Sequence, residues 1–132
     1  MNITYNDKLK DLPIEPLHAL FVAVGWPPDE PLPDELRKGF MQSWLHSTLV
    51  ISAWDGENLV GAVRVLSDTI FRSIIYDLLV DPEYHGNGIG SELVRRCKAH
   101  FLDSECWWDV TEKTARFIRS LDFPKHQRQA NF

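Results

Sequence analysis

The segment His85-Gly86-Asn87-Gly88-Ile89-Gly90 follows the apolar run Ile74-Ile75-Tyr76-Asp77-Leu78-Leu79-Val80 and precedes a helical pattern. Three glycines at alternate positions remove side chains where a backbone must turn sharply, so successive N–H groups can point into one concavity. A helix opening at such a turn adds about half a positive charge from its aligned peptide dipoles. The ligand this chemistry favours is a phosphate or pyrophosphate, gripped by Gly86, Asn87, Gly88, Ile89, Gly90 and Ser91, with His85 at the rim.

Two common phosphate motifs fit poorly. A P-loop needs Lys and Ser/Thr after its last glycine, whereas Gly90 is followed by Ser91-Glu92-Leu93. A dinucleotide fold places its glycines after the first strand, and here they lie about two-thirds of the way along a chain of 132 residues. No room remains for the second half of such a fold.

The run Leu78-Leu79-Val80-Asp81-Pro82-Glu83-Tyr84-His85-Gly86-Asn87-Gly88-Ile89-Gly90-Ser91 resembles the signature of the GCN5-related N-acetyltransferases. That signature is a strand, an Asp/His-Pro-Glu-Tyr link, then Gln/Arg-x-x-Gly-x-Gly opening a helix. His85 departs from the usual Gln or Arg, and its ring N–H can still contribute. The resemblance implies acetyl-CoA as cofactor and an α+β fold whose mixed central sheet has a splayed strand pair. The pantetheine arm would slide into the splay and pair with the backbone of Leu78, Leu79 and Val80. An amide at Leu78 or Leu79 would polarise the thioester carbonyl, which makes the Leu79 backbone a catalytic candidate. Val24-Gly25-Trp26-Pro27 and Ala53-Trp54-Asp55-Gly56 further resemble the arylalkylamine-acetyltransferase-like bacterial branch.

Acetyl transfer to an amine needs a neutral amine, a polarised thioester and a proton for the departing thiolate. Family members with a base on this strand carry it two or four residues before the Leu78 position, here Tyr76 and Ile74. Tyr76 can orient a water or touch the substrate. Asp77 is the nearest carboxylate, but strand alternation points it to the opposite face unless a bulge intervenes. Near the end of the chain, Thr111 to Phe123 resembles the family's Asn-x-x-Ala-x-x-Phe-Tyr-x-x-x-Gly-Phe frame. Ile118 there replaces the tyrosine that serves as general acid, so a non-catalytic acyl-CoA-binding regulatory module is the alternative reading. Trp26, beside Pro27 and Pro28, is a candidate wall of the acceptor pocket together with Tyr76.

The elements that must position these groups read as follows. A strand over Ile3 to Tyr5 precedes a helix over about Glu15 to Val24, with Leu17, Leu20, Phe21 and Val24 on one face. Gly25-Trp26-Pro27-Pro28 breaks it, and Asp34 can cap a second helix running to about Leu45. Thr48 to Trp54 and Leu59 to Leu66 form a hairpin across Asp55-Gly56, presenting Val50, Ile51, Val60, Val63 and Val65 for burial. A turn at Ser67-Asp68-Thr69 leads into the strand ending at Val80. A helix to about Phe101, a strand over Cys106 to Val110, a helix over Glu112 to Ser120 and a short strand at Phe123 complete the order. Residues 1–132 read as a single domain.

Composition sets the remaining bounds. Hydrophobic content is 44% and charged content 25%, ordinary for a globular domain. A net charge of -5 argues against a nucleic-acid partner and favours an amine-bearing one. The amino terminus lacks a cationic and apolar leader pattern and no run reaches about 18 apolar residues, so no membrane association and a cytoplasmic location are expected. Cys97 and Cys106 lack paired spacing, and the five histidines show no ligand spacing, so no metal is expected. The partner expected is a small-molecule amine, and a homodimer is compatible with it.

Overall fold

The computed structural model describes residues 1–25, 34–101 and 105–108, with 34–37 and 105–108 described by backbone alone. The order is β1 (Ile3–Asn6), α1 (Ile14–Ala23), α2 (Asp34–Leu45), β2 (Leu49–Asp55), β3 (Asn58–Ser67), β4 (Arg72–Val80), a 3₁₀ turn (Pro82–Tyr84), α3 (Ile89–His100) and β5 (Glu105–Trp108). The strands form one sheet in the order β1-β2-β3-β4-β5, antiparallel through β4, with β5 parallel to β4. This is the α+β architecture expected. The loop from Trp26 to Pro33, the end of the fifth strand at Asp109 and Val110, the helix expected over Glu112 to Ser120 and the strand at Phe123 lie outside the described residues.

Alternation along β2 builds two cores. Leu49, Ile51 and Ala53 face α3, where Ile89, Leu93, Val94 and Cys97 form the stripe that meets them. Val50 faces the other side and joins Leu17, Leu20, Phe21 and Trp44 from α1 and α2. Phe21 meets Phe40 and Trp44 edge-on, with ring centres 5.2 and 6.2 Å away. Helix α1 begins after Pro13 without a side-chain cap, a deficit of about 1 kcal/mol. Burial of Leu17, Leu20 and Phe21, at about 1.5–3 kcal/mol each, outweighs it. Val24, expected on that buried face, is instead 42% exposed because it is the C-cap residue, where the helical periodicity has ended.

Two close contacts shape the sheet. Gly61 in β3 lies under the start of α3. A Cβ there would stand 3.1 Å from Ile89 Cγ2, 3.2 Å from the Leu79 carbonyl oxygen and 3.3 Å from Leu93 Cδ1. At the β3–β4 tip, Thr69 adopts a positive φ of 65°, which is strained for a β-branched residue. Asp68 Oδ1 holds the tip in place by accepting from the amides of Ile70, Phe71 and Arg72 at 2.9, 2.7 and 3.0 Å.

These three amides hold the Asp68 carboxyl below its ordinary range. A depressed carboxylate contributes stability that is present above its unfolded value near pH 3.9 and lost as pH falls through the lower folded value. Asp68→Ala is therefore expected to lower the melting temperature at pH 7, with the difference from wild type fading below about pH 4. Thermal melts of both proteins over pH 2–7 check this, and a constant difference would count against it.

Candidate anion and acyl site

Beyond Val80 the chain makes a 3₁₀ turn because Asp81 accepts from the Glu83 amide at 3.0 Å and Pro82 presets the first position. Tyr84 closes the turn onto the β2–β3 hairpin, its hydroxyl donating to Asp55 Oδ2 at 2.7 Å. That bond holds the Tyr84 phenol above its ordinary value. Asn87 Nδ2 donates back to the Tyr84 carbonyl at 2.9 Å. Gly86 and Gly88 adopt φ of 82° and 78°, the left-handed region that side chains disfavour.

Gly88 is the N-cap of α3, and the first helical bond runs from the Glu92 amide to the Gly88 carbonyl at 3.0 Å. The amides of Ile89, Gly90 and Ser91 precede that bond and so have no carbonyl within the helix. The space over Gly86 and Gly88 is open, with nothing within 4 Å of an added Cβ. Donors, dipole and room thus converge at one point, which suits a pyrophosphate.

The ladder decides which β4 amides face outward. The Asp81 amide donates to the Val60 carbonyl at 2.9 Å, and Leu79 pairs with Ala62 in the same register. In an antiparallel pair such bonded positions alternate, so Leu79 turns its N–H and C=O to β3, while Leu78 and Val80 turn theirs to the β5 side. Between β4 and β5, pairing covers Arg72 to Ile75. Among the described residues, no strand pairs that side of Tyr76 to Val80. The expectation that Leu79 could serve as the thioester-polarising amide is corrected: the ladder commits it to β3, and Leu78 is the available donor.

His85 also differs from expectation. Its Nε2 lies 3.1 Å from the Val80 carbonyl oxygen, an acceptor only, so the ring N–H is spent on the strand and is not offered to a ligand. The reason is physical: that carbonyl faces the side where β4 has no described strand partner, and the imidazole is the donor within reach.

A bulge interrupts β4. Asp77 pairs with Arg64 and Ile75 with Val65, which leaves Tyr76 as the extra residue. Strand alternation alone would separate Tyr76 from Asp77. The bulge instead brings both to Arg64, whose Nε donates to Asp77 Oδ2 at 2.6 Å while its guanidinium carbon lies 5.2 Å from the Tyr76 ring centre. Asp77 is thus held in an ion pair with Arg64. Sequence reasoning passed over Arg64, Gly61 and the Tyr84–Asp55 bond. A charged residue in the middle of the apolar run Leu59 to Leu66 was the available signal for Arg64. Trp26, Thr111, Ile118 and Asp122 lie outside the described residues. No cluster of three or more potential metal ligands occurs among the described residues, and no described helix is long and apolar enough to cross a membrane.

The sheet, its flanking helices and the glycine turn at the end of β4 define an α+β domain built around an anion-ready helix start. Residues 13–123 match the model of the Acetyltransferase (GNAT) family, and the chain belongs to that family. It is 35% identical to a soybean (Glycine max) protein named histone acetyltransferase TAP1, over 86% of this chain and 52% of that one. It is 36% identical to the Arabidopsis thaliana protein named GCN5-related N-acetyltransferase 2, chloroplastic, over 65% of this chain and 39% of that one. The chain therefore spans about half or less of the length of these curated relatives. A GNAT-family acetyltransferase structure from Streptococcus pneumoniae superposes with a TM-score of 0.75 at 28% identity, covering 93% of this chain and 88% of that one.

Proposed function

We propose that this domain, as a single unit over residues 1–132, is an acetyl-CoA-dependent N-acetyltransferase. It would act on a primary amine, a small one favoured, by direct attack in a ternary complex. The observation that carries the reading is the alignment of two backbone features: the free amides opening α3 and the outward-facing amides of Leu78 and Val80 on the adjoining strand. Acetyl-CoA supplies an acyl group activated as a thioester. Gly86 to Ser91 would grip the pyrophosphate, the Leu78 carbonyl and the Val80 N–H would pair with the amide-bearing arm, and the Leu78 N–H would donate to the carbonyl under attack. One such donor contributes about 2.7–4 kcal/mol in sites of this kind.

The amine nitrogen bonds to the carbonyl carbon, the C–S bond breaks, and one proton leaves the nitrogen. Asp77 is engaged by Arg64, so that proton passes to solvent through water oriented at Tyr76. An alkylamine titrates near pH 10.4. The rate at fixed total amine is then expected to rise about tenfold per pH unit from 6.5 to 8.5, following the neutral fraction. A plateau near pH 7 would reveal a base on the enzyme.

The decisive assay follows thiol release from acetyl-CoA over an amine panel, with a competent family member as control. The panel spans arylalkylamines, polyamines and a histone-tail peptide, because the bacterial-branch resemblance points to the first and the name of the soybean relative to the last. Ile118 in the tyrosine slot supports a second reading, a binding module without turnover. CoA binding with no thiol release across the panel would select it.

A further inference from the structure

The acetyl-transfer chemistry uses the backbone of β4 and gives no part to Arg64, whose side chain is only 16% exposed. It stands in β3 between Val63 and Val65, both fully buried. A guanidinium so placed must satisfy its donors within the protein. Among the described residues, its partners belong to the β4 bulge, to the carboxyl end of α2 and to the turn that follows α2. Its Nε donates to Asp77 Oδ2 at 2.6 Å, and Nη1 lies 3.4 Å from the Ser43 carbonyl oxygen and 3.5 Å from Ser47 Oγ. Its flat group lies 5.2 Å from the Tyr76 ring centre and 5.9 Å from that of Trp44.

Tyr76 is the one residue of the bulge without a partner on β3, and among the described residues pairing to β5 covers β4 only as far as Ile75. The β3 ladder does not fix it, so its direction on that side comes from side chains. Arg64 supplies this from two positions, by a carboxylate bond to the next residue and by ring contact with Tyr76 itself. Leu78 follows two residues later, and the angle of its N–H depends on how the bulge is set.

We propose that Arg64 is a positioning residue, tying the β4 bulge to α2 and thereby setting the direction of the Leu78 N–H and the Tyr76 ring at the acyl end of the site. This rests on the acetyltransferase reading. The planar fork is essential to it, since a lysine could keep the charge but neither the two-sided ring contact nor the directed bonds.

The test compares wild type with Arg64→Met, Arg64→Lys and Asp77→Asn by thiol release, by CoA-induced melting shift and by amide NMR. A misplacement near 1 Å at a reacting centre costs about 100-fold. Arg64→Met is expected to lower kcat on that scale with amine KM changing far less, to keep the CoA melting shift set by the turn, and to gain little from Arg64→Lys. In wild type the Leu78 amide resonance should differ between the acetyl-CoA and CoA complexes, and in Arg64→Met that difference should collapse. A folded Arg64→Met with kcat within about twofold of wild type, or with the Leu78 difference intact, would overturn the proposal. If Arg64→Met does not fold, Asp77→Asn is measured in the same two ways: a loss of kcat with a collapsed Leu78 difference supports the proposal, and the wild-type pattern overturns it. If wild type releases no thiol with any amine, the enzymatic reading fails, and the NMR comparison still decides the role of Arg64.

Discussion

CoA at about 100 times its dissociation constant is expected to raise the melting temperature of the wild-type protein by about 8 °C, and Gly88→Asp to abolish that rise. Saturation at this level adds about 2.7 kcal/mol, and a domain of this size gains about 3 °C per kcal/mol. The substitution acts through three effects. The φ of 78° at Gly88 strains any side chain by about 1–2 kcal/mol. An aspartate at an N-cap accepts from the amides of the first helical turn, the same donors a pyrophosphate needs. Its charge then repels the ligand. Gly88→Asn isolates the charge, because it shares the backbone strain and the polar shape, and it should retain part of the shift. Melts of the three proteins with and without CoA check this, and an undiminished shift in Gly88→Asp would remove the cofactor from this turn.

Ile118→Tyr is expected to raise turnover with a suitable amine by about 100 to 10,000-fold, the usual worth of a general acid, where departure of the thiolate limits the rate. The expectation rests on the alignment of Thr111 to Phe123 with the family's carboxyl-terminal frame, since an isoleucine has no proton to donate. A thiol with its ordinary pKa near 8.5 leaves tolerably without help, so wild type is predicted to be slow and not inert. Single-turnover measurement of thiol release by both proteins reads the effect. No gain in a folded, CoA-binding variant would show that departure is not limiting, and a fall would show that Ile118 serves packing.

The parts of this molecule legible in its sequence are those set by local chemistry. Asp55-Gly56 marked the hairpin, and Gly56 takes the positive φ of 60° that such turns require. The spacing of Ile89, Leu93, Val94 and Cys97 marked the buried stripe of α3, and all four are buried. Alternate glycines marked the sharp turn after β4, where Gly86 and Gly88 take φ of 82° and 78°. What could not be read depends on pairing between distant segments. The bulge at Tyr76 accompanies the pairing of Asp77 with Arg64, thirteen residues earlier, whose guanidinium takes that carboxylate, and nothing in Ile74-Ile75-Tyr76-Asp77 announces it. The outward turn of Leu78 in preference to Leu79 follows from the register with β3, and a shift of one residue would reverse it. The imidazole of His85 turned to Val80 because of an acceptor five positions earlier that only the sheet leaves available.

Gly61 makes no contact that a search for ligand-binding residues would flag, yet it limits which mutations the site can tolerate. The nearest atoms to its absent side chain include a main-chain oxygen, which cannot rotate away, and the first residue of the helix that opens at the glycine turn. A Cβ there would require these neighbours to give by a few tenths of an ångström. Mutagenesis aimed at the glycine turn alone would therefore pass over a residue on a different strand that bears on how α3 starts. A change at Gly61 is therefore felt first at Ile89 and Leu93, the two side chains that face it from the first turns of α3.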